Sequence, residues 1–222
     1  MKRIIPLILV FIFMISLSIN AQSIDIEFGV KAGANYSQFT PDLMVDGVKF
    51  ANYKGKLGYY LGGFLNLEIT EKWQFQPEFL VALQGSRIVM EDVETQGGFN
   101  SSPMLSDFES RVNDLTLVLP LEIRYFITND FFVETGPQIG YIIDRKYKAE
   151  DNSFQRNTPF EINNSNDPNN FEYDKFEFGV NLGTGYKFSD NLTISARYFP
   201  GLIERDNSIK SSVLNLGLEL KL

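Results

Sequence analysis

The sequence predicts an all-β fold, an eight-stranded antiparallel up-and-down transmembrane β-barrel. Three observations predict it: apolar and polar residues alternate with period two, many alternating segments reach about ten residues, and short and long connections alternate between them. Strands of soluble proteins average about five or six residues, whereas a tilted strand needs about ten residues to cross a bilayer. The segments of this chain therefore have the length of membrane strands.

The alternation is clearest in two segments of the chain. In residues 57–69 nearly every second residue is apolar, and the opposite face carries Gly58, Gly62, Asn66 and Glu68. In residues 214–222 leucine alternates with asparagine, glycine, glutamate and lysine. Such a pattern indicates strands with two different faces. Eight strands are predicted, and they begin near Ile26, Leu57, Trp73, Leu115, Phe131, Tyr173, Asn191 and Lys210.

The connections are of two kinds. Residues 70–72, 128–130 and 189–191 are short polar turns, and the longer connections are residues 37–56, 86–113, 146–172 and 204–208. Outer-membrane barrels have short periplasmic turns and longer outer loops. Eight strands with both termini in the periplasm require three turns and four loops, which is the number that the sequence offers.

Aromatic residues indicate which face meets lipid. Hydrocarbon does not solvate polar backbone groups, so a spanning sheet closes on itself and turns its apolar face outward, with aromatic girdles at both membrane surfaces. The apolar face carries Trp73, Phe75, Tyr125, Phe131, Tyr186 and Phe188 beside the short turns, and Tyr36, Tyr59, Tyr141, Phe176 and Tyr198 beside the long connections. The inward face is predicted to hold Phe64, Phe126, Phe132 and Phe199.

The predicted inward face also combines small and charged residues. Eight strands leave an interior just wide enough for side chains, so inward glycines are expected to relieve crowding beside long residues; these glycines are Gly29, Gly33, Gly58, Gly62, Gly136, Gly140, Gly179, Gly183 and Gly185. The inward face also carries several carboxylates, and paired carboxylates can perform acid–base chemistry. A salt-bridge network with the inward cations is favoured instead, because it neutralises buried charge. The predicted members of this network are Glu68, Glu78, Glu122, Glu134 and Glu177 with Lys31, Arg124, Lys187, Arg197 and Lys221. Pro77, Pro120 and Pro137 each lack a ladder donor and are interpreted as β-bulges.

The N-terminus has the pattern of a cleavable signal peptide. Lys2 and Arg3 precede an apolar run over residues 4–15, and small or polar residues lead to a cleavage site after Ala21. The apolar run is short for a spanning helix of about 20 residues. We therefore predict a signal peptide over residues 1–21 and a barrel domain over residues 22–222, located in the bacterial outer membrane.

Composition excludes several classes of function. The chain has no cysteine and no histidine, which removes thiolate sites, the Ser/His pairing of acyl hydrolases and the commonest metal ligand. Residues 163–170 lack the carboxylate spacing of a calcium loop. The net charge of −8 argues against nucleic acid as a partner. The sequence therefore predicts no enzyme, no catalytic site, no cofactor and no metal site.

A series of short motifs resembles the PorT-like outer-membrane β-barrel family of Bacteroidota. In chain order the motifs occupy residues 29–36, 62–64, 76–79 with 84–85, 119–125, 136–141, 178–180 with 183–186, and 198–202. The resemblance covers essentially the whole chain after residue 21 and is carried by the order of the motifs. It implies an outer-membrane barrel, and the namesake of the family is associated with protein secretion.

Three functions remain open from the sequence. The first is a barrel with a filled lumen that contacts outer-membrane lipid and, through its extracellular loops, envelope or secretion proteins. The second is a narrow channel for small solutes. The third is a secreted lipocalin-like carrier, which would place its apolar face inward. Loops as long as residues 86–113 and 146–172 are usually functional or disordered, and a binding role is favoured for the first of them. The oligomeric state stays open.

Overall fold

A computed structural model describes residues 25–45, 48–95, 104–149, 174–205 and 208–222. The predicted signal peptide, residues 1–21, lies outside the described residues, as do residues 150–172 of the predicted connection 146–172, whose first four residues belong to a strand. Within the described ranges, no helix combines the length and the hydropathy that a membrane crossing requires.

The described chain consists of ten β-strands. Alternating burial runs along most of them, because successive side chains of a strand point to opposite faces. The strands are β1 (Asp25–Thr40), β2 (Leu43–Val45), β3 (Val48–Lys54), β4 (Lys56–Thr70), β5 (Trp73–Thr95), β6 (Met104–Phe126), β7 (Phe131–Ala149), β8 (Phe176–Lys187), β9 (Leu192–Pro200) and β10 (Lys210–Lys221).

Eight of these strands close into an antiparallel barrel. The ring runs β1, β4, β5, β6, β7, β8, β9, β10, and β10 pairs with β1 from Gly29↔Lys221 to Thr40↔Lys210. The two additional strands, β2 and β3, form a hairpin whose second strand continues along the edge of β5 from Asn52↔Val89 to Lys54↔Arg87. The predicted eight-stranded barrel is confirmed, and its three short turns join β4 to β5, β6 to β7 and β8 to β9.

The outer surface of the wall has the dimensions of a bilayer. All eleven predicted girdle aromatics are exposed or half-exposed on that surface. On β7 the two girdles are marked by Phe131 and Tyr141, which are ten residues apart, or about 34 Å of strand. A tilt of about 40° reduces this to about 26 Å along the membrane normal, close to the apolar band of about 25 Å in such barrels.

Two predicted long loops are largely strands instead. Residues 86–113 extend β5 and β6, which remain paired up to Thr95↔Met104, and residues 37–56 contain the end of β1, the β2–β3 hairpin and the start of β4. Sequence alternation missed them because strands beyond the lipid need no apolar outer face. The bulge interpretation of the prolines is also wrong, since the register shifts in the pairings of β4 to β8 lie elsewhere. They fall between Glu68 and Thr70, between Met90 and Val93, and between Leu115 and Thr116.

Glycines admit aromatic rings to the interior. A Cβ atom at Gly33 would collide with the ring of Tyr60, and one at Gly185 would collide with Phe132. Gly29 and Gly179 face Phe64 and Phe199 in the same way. The four phenylalanines predicted to point inward are all buried, each 7% exposed or less. The inward glycines thus relieve crowding, as predicted, although the nearest side chains at these four positions are aromatic rings rather than long cations.

Candidate functional site

The lumen holds the largest concentration of buried charge in the described chain. We name as the central network seven side chains that the inward faces of β1, β5, β6, β7, β9 and β10 bring together. Each is at most 5% exposed, and all seven are ion-paired. The members are Lys31, Glu78, Glu122, Arg124, Glu134, Arg197 and Glu219.

Arg124 ties β6 to β7 and β10. Its Nη1 and Nη2 atoms donate to the two carboxylate oxygens of Glu219 at 2.9 and 2.6 Å, and its Nε donates to Oε2 of Glu134 at 2.9 Å. The guanidinium also lies 4.4 Å from the ring centroid of Phe132. A bidentate pair of this kind fixes orientation as well as charge, so three strands are held at one height.

Arg197 makes the matching contacts from the opposite wall. Its two Nη atoms each donate to Glu78 at 3.0 Å, and its Nε donates to Oε1 of Glu134 at 2.9 Å. Lys31 completes the network, with its Nζ 3.0 Å from Oε1 of Glu78 and 2.8 Å from Oε1 of Glu219. Three carboxylates therefore each contact two cations.

Glu122 is bound differently from the other carboxylates. Its Oε1 accepts a hydrogen bond from Nδ2 of Asn181 and lies 3.4 Å from Nη1 of Arg197. Its Oε2 is buried and has no hydrogen-bond partner in the described part of the chain. Of the four network carboxylates, Glu122 has the weakest cationic contact.

A second charged cluster lies nearer the outer end of the barrel. Arg145 donates from Nε and Nη2 to the two oxygens of Asp114, both at 2.7 Å. Arg205 lies 3.6 Å from Asp114 and 3.1 Å from Glu177, and Ser211 donates to Glu177. These residues form the outer cluster.

Two apolar layers separate and cover the charges. Tyr60, Leu80, Ala82 and Val118 lie between the central network and the outer cluster, next to a cavity of about 20 Å³, which is room for about one water molecule. Phe39, Val112 and Ile209 pack beyond the outer cluster, and the guanidinium of Arg205 lies 5.0 Å from the ring centroid of Phe39. The interior is thus filled in alternating polar and apolar layers.

The periplasmic end of the lumen is more open. A cavity of about 30 Å³, named here the periplasmic vestibule, is lined by residues including Glu27, Asn66, Gln74, Gln76, Lys187 and Lys221. Lys221 forms an ion pair with Glu27 at 2.8 Å at its rim, and Nζ of Lys187 lies 4.3 Å from the ring centroid of Phe126. The carbonyl oxygens of Asn66, Gln74 and Gln76 are buried without a hydrogen-bond partner in the described ranges.

The predicted salt-bridge network is confirmed with corrections to its membership. Glu68 is exposed near the periplasmic end of β4, where solvent reaches it, and Lys187 and Lys221 are half-buried at the vestibule. Glu177 belongs to the outer cluster rather than the central network. The sequence reasoning missed Glu219, although alternation placed it on the inward face of β10. It also missed Asp114, Arg145 and Arg205, which lie at the ends of the connections or within them.

The arrangement binds strands together and leaves few groups available for chemistry. The carboxylates of Glu78, Glu134 and Glu219 each accept bonds from two cations, so any of them would have to weaken a buried ion pair to act as a general base. Among the described residues, no three acidic side chains converge as a metal-binding group.

Comparison with known proteins gives one family and several structures. Residues 20–206 match the family described as outer membrane protein beta-barrel domain. The attachment invasion locus protein of Yersinia pestis aligns over 88% of this chain and 98% of its own, at 15% identity and a TM-score of 0.44. OprG of Pseudomonas aeruginosa aligns over 88% and 96%, at 13% identity and a TM-score of 0.43. Outer membrane protein W of E. coli aligns over 90% and 100%, at 12% identity and a TM-score of 0.41. No curated protein sequence matches the chain.

Proposed function

Because this chain belongs to the family of outer membrane protein β-barrel domains, we propose that it is a closed, non-catalytic component of the envelope that contacts other proteins. Its location is the bacterial outer membrane, as its family and its two aromatic girdles indicate. The observation that carries the proposal is the filled lumen, with two ion-paired clusters and two apolar layers stacked along the barrel axis.

A filled lumen favours an interaction protein over a channel. The central network crosses the barrel from Arg124 on β6 to Glu219 on β10 and from Arg197 on β9 to Glu78 on β5. An ion passing along the axis would have to break these buried pairs. We therefore expect purified protein in planar bilayers to show no steady conductance steps. A lipocalin-like carrier would need its apolar face inside the barrel, whereas Leu57, Leu61 and Leu65 point outward.

The surface best suited to a partner is formed by the paired outer ends of β5 and β6, residues 84–95 and 104–114, named here the projecting hairpin. Beyond Leu83, which lies near the outer girdle, β5 continues for twelve residues to Thr95, or about 40 Å of strand. The segment carries Glu91, Asp92, Glu94, Asp107 and Glu109 against Arg87 and Arg111, so acids are in excess although Arg87 pairs with Glu109 at 3.4 Å. Such an acidic segment suits a partner with a basic surface, because complementary charge guides association.

The resemblance to the PorT-like family refines this proposal. Its motifs over residues 29–36, 119–125 and 136–141 lie within β1, β6 and β7, on the membrane-spanning parts of the barrel. Membership in that family would associate the protein with secretion, so the expected partner is an envelope or secretion protein.

Shortening of the projecting hairpin tests the proposal directly. Val89 and Glu109 are direct partners in the β5–β6 ladder, so an Asn-Gly turn can replace residues 90–108 without a change of register. We expect the shortened barrel to insert and to keep a heat-dependent gel shift, because no lipid-facing residue is changed. Neighbours captured by crosslinking in intact envelopes should be lost.

A matched control replaces residues 151–172, the other long connection, with a Gly/Ser linker of equal length. That variant should keep the neighbours captured by the wild type. Survival of every crosslinked neighbour after the hairpin is shortened, with growth and secretion unchanged, would refute the proposal and place any contact on another surface.

A further inference from the structure

The charges of the central network do not balance. Lys31, Arg124 and Arg197 supply three positive charges, and Glu78, Glu122, Glu134 and Glu219 supply four negative charges. Every member is at most 5% exposed. An uncompensated charge in a buried site is costly, and it is neutralised either by a counter-charge or by uptake of a proton. One further positive charge would therefore neutralise the network.

The excess charge is localised at Glu122. The other three carboxylates each lie within 3.0 Å of two cations, whereas Glu122 has only Arg197 at 3.4 Å, on its Oε1 side. Its Oε2 is buried without a hydrogen-bond partner among the residues that the structure describes. The missing positive charge is thus expected beside Oε2 of Glu122.

Two buried amide side chains adjoin this carboxylate. Gln76 is the direct cross-strand partner of Glu122 on β5, and Asn181 reaches Glu122 from β8 across Gly136. Both amides are 0% exposed. The Nε2 of Gln76 donates to Glu78 at 2.8 Å and the Nδ2 of Asn181 donates to Gln138 at 3.0 Å, so hydrogen bonding fixes which end of each amide is the oxygen. Neither oxygen has a donor within the described chain.

We propose that the lumen binds one monovalent metal cation, Na⁺ or K⁺, through Oε2 of Glu122 and the amide oxygens of Gln76 and Asn181. Carboxylate and amide oxygens are the ligands that hard cations prefer. A single positive charge neutralises the network, whereas a divalent ion would leave an excess of the opposite sign. The cation ties β5, β6 and β8 together at the height of the central network.

The periplasmic vestibule reaches one of the three proposed ligands. Gln76 lines the vestibule, and the unpartnered oxygens of Asn66 and Gln74 lie in the same cavity. Its volume of about 30 Å³ has room for an ion with little more than one or two water molecules. An ion entering the vestibule from the periplasm would therefore meet amide oxygens that can replace part of its water shell.

Thermal unfolding in different salts tests the site. The purified barrel is compared in NaCl, KCl and choline chloride at equal ionic strength and pH, because choline is too large for the cavity. At a concentration ten times its dissociation constant, the cation should raise the unfolding midpoint by about 3–6 °C relative to choline chloride. Crystals soaked in thallium(I), a potassium analogue, should show an anomalous peak between Gln76 and Glu122.

Glu122→Gln should abolish the difference between the salts and remain at least as stable as wild type in choline, because it removes the excess charge. Gln76→Leu is a second variant, expected to weaken the salt effect if Glu122→Gln does not fold. The matched control is Glu204→Gln, because the side chain of Glu204 is 58% exposed at the outer end of the barrel. This variant should keep the full difference between the salts.

Three results would overturn the proposal. One is the same unfolding midpoint in all three salts together with no thallium peak, because the site would then hold only water. Another is a midpoint that responds to pH but not to Na⁺ or K⁺, which would mean that a proton supplies the charge. The third is a salt effect that persists in Glu122→Gln, which would place the cation elsewhere.

Discussion

Replacement of Arg124 with methionine removes the charge that joins β6 to β7 and β10 while it keeps much of the side-chain volume. Arg124 is 3% exposed and makes three hydrogen bonds of 2.6 to 2.9 Å to Glu219 and Glu134. Removal of one partner of a buried ion pair costs about 3–5 kcal/mol, because the remaining charge is left uncompensated. We expect a cost in that range for Arg124→Met rather than twice it, since Lys31 and Arg197 still contact the two carboxylates.

The cost can be measured by urea unfolding of barrels refolded in lipid vesicles, with the folded fraction taken from heat-dependent gel mobility. Lys146→Met is the matched control, because Lys146 pairs with Asp144 at 3.3 Å on the surface and such pairs contribute about 0–1 kcal/mol. The double variant Arg124→Met with Glu219→Gln should cost less than the sum of the single variants, by about 0.5–3 kcal/mol. A cost below about 1 kcal/mol for Arg124→Met would mean that the lumen is hydrated, and the reasoning would be refuted.

Two further predictions use the same assay. Leu121 lies on the outer face near mid-membrane, opposite Pro77, so Leu121→Arg should cost about 2–4 kcal/mol of folding free energy. Leu57 lies beyond the outer girdle, so Leu57→Arg should cost only about 0–1 kcal/mol, and equal costs would contradict the assigned membrane position. A Cβ at Gly217 would collide with the Tyr60 hydroxyl, so Gly217→Val should cost about 1–3 kcal/mol. Tyr60→Ala in the same chain should recover part of that cost, and strictly additive costs would show that the two residues do not touch.

The sequence alone predicted the wall of the barrel. Lipid on one side and a packed lumen on the other impose strict alternation, so Tyr59 and Leu65 could be placed outward and Phe64 inward without any structure. The same alternation placed Lys31 and Arg124 in the interior, and the need to neutralise buried charge predicted that they would be paired.

Only the tertiary structure decided which charges meet. Arg197 and Glu78 are 119 positions apart and Arg124 and Glu219 are 95 apart, and their contacts depend on barrel closure and strand stagger, which alternation does not encode. Glu122 could not be singled out for the same reason, since its incomplete pairing follows from the positions of all the other cations. The projecting parts of β5 and β6 were also beyond the sequence, because outside the bilayer water solvates both faces of a strand and the apolar alternation ends.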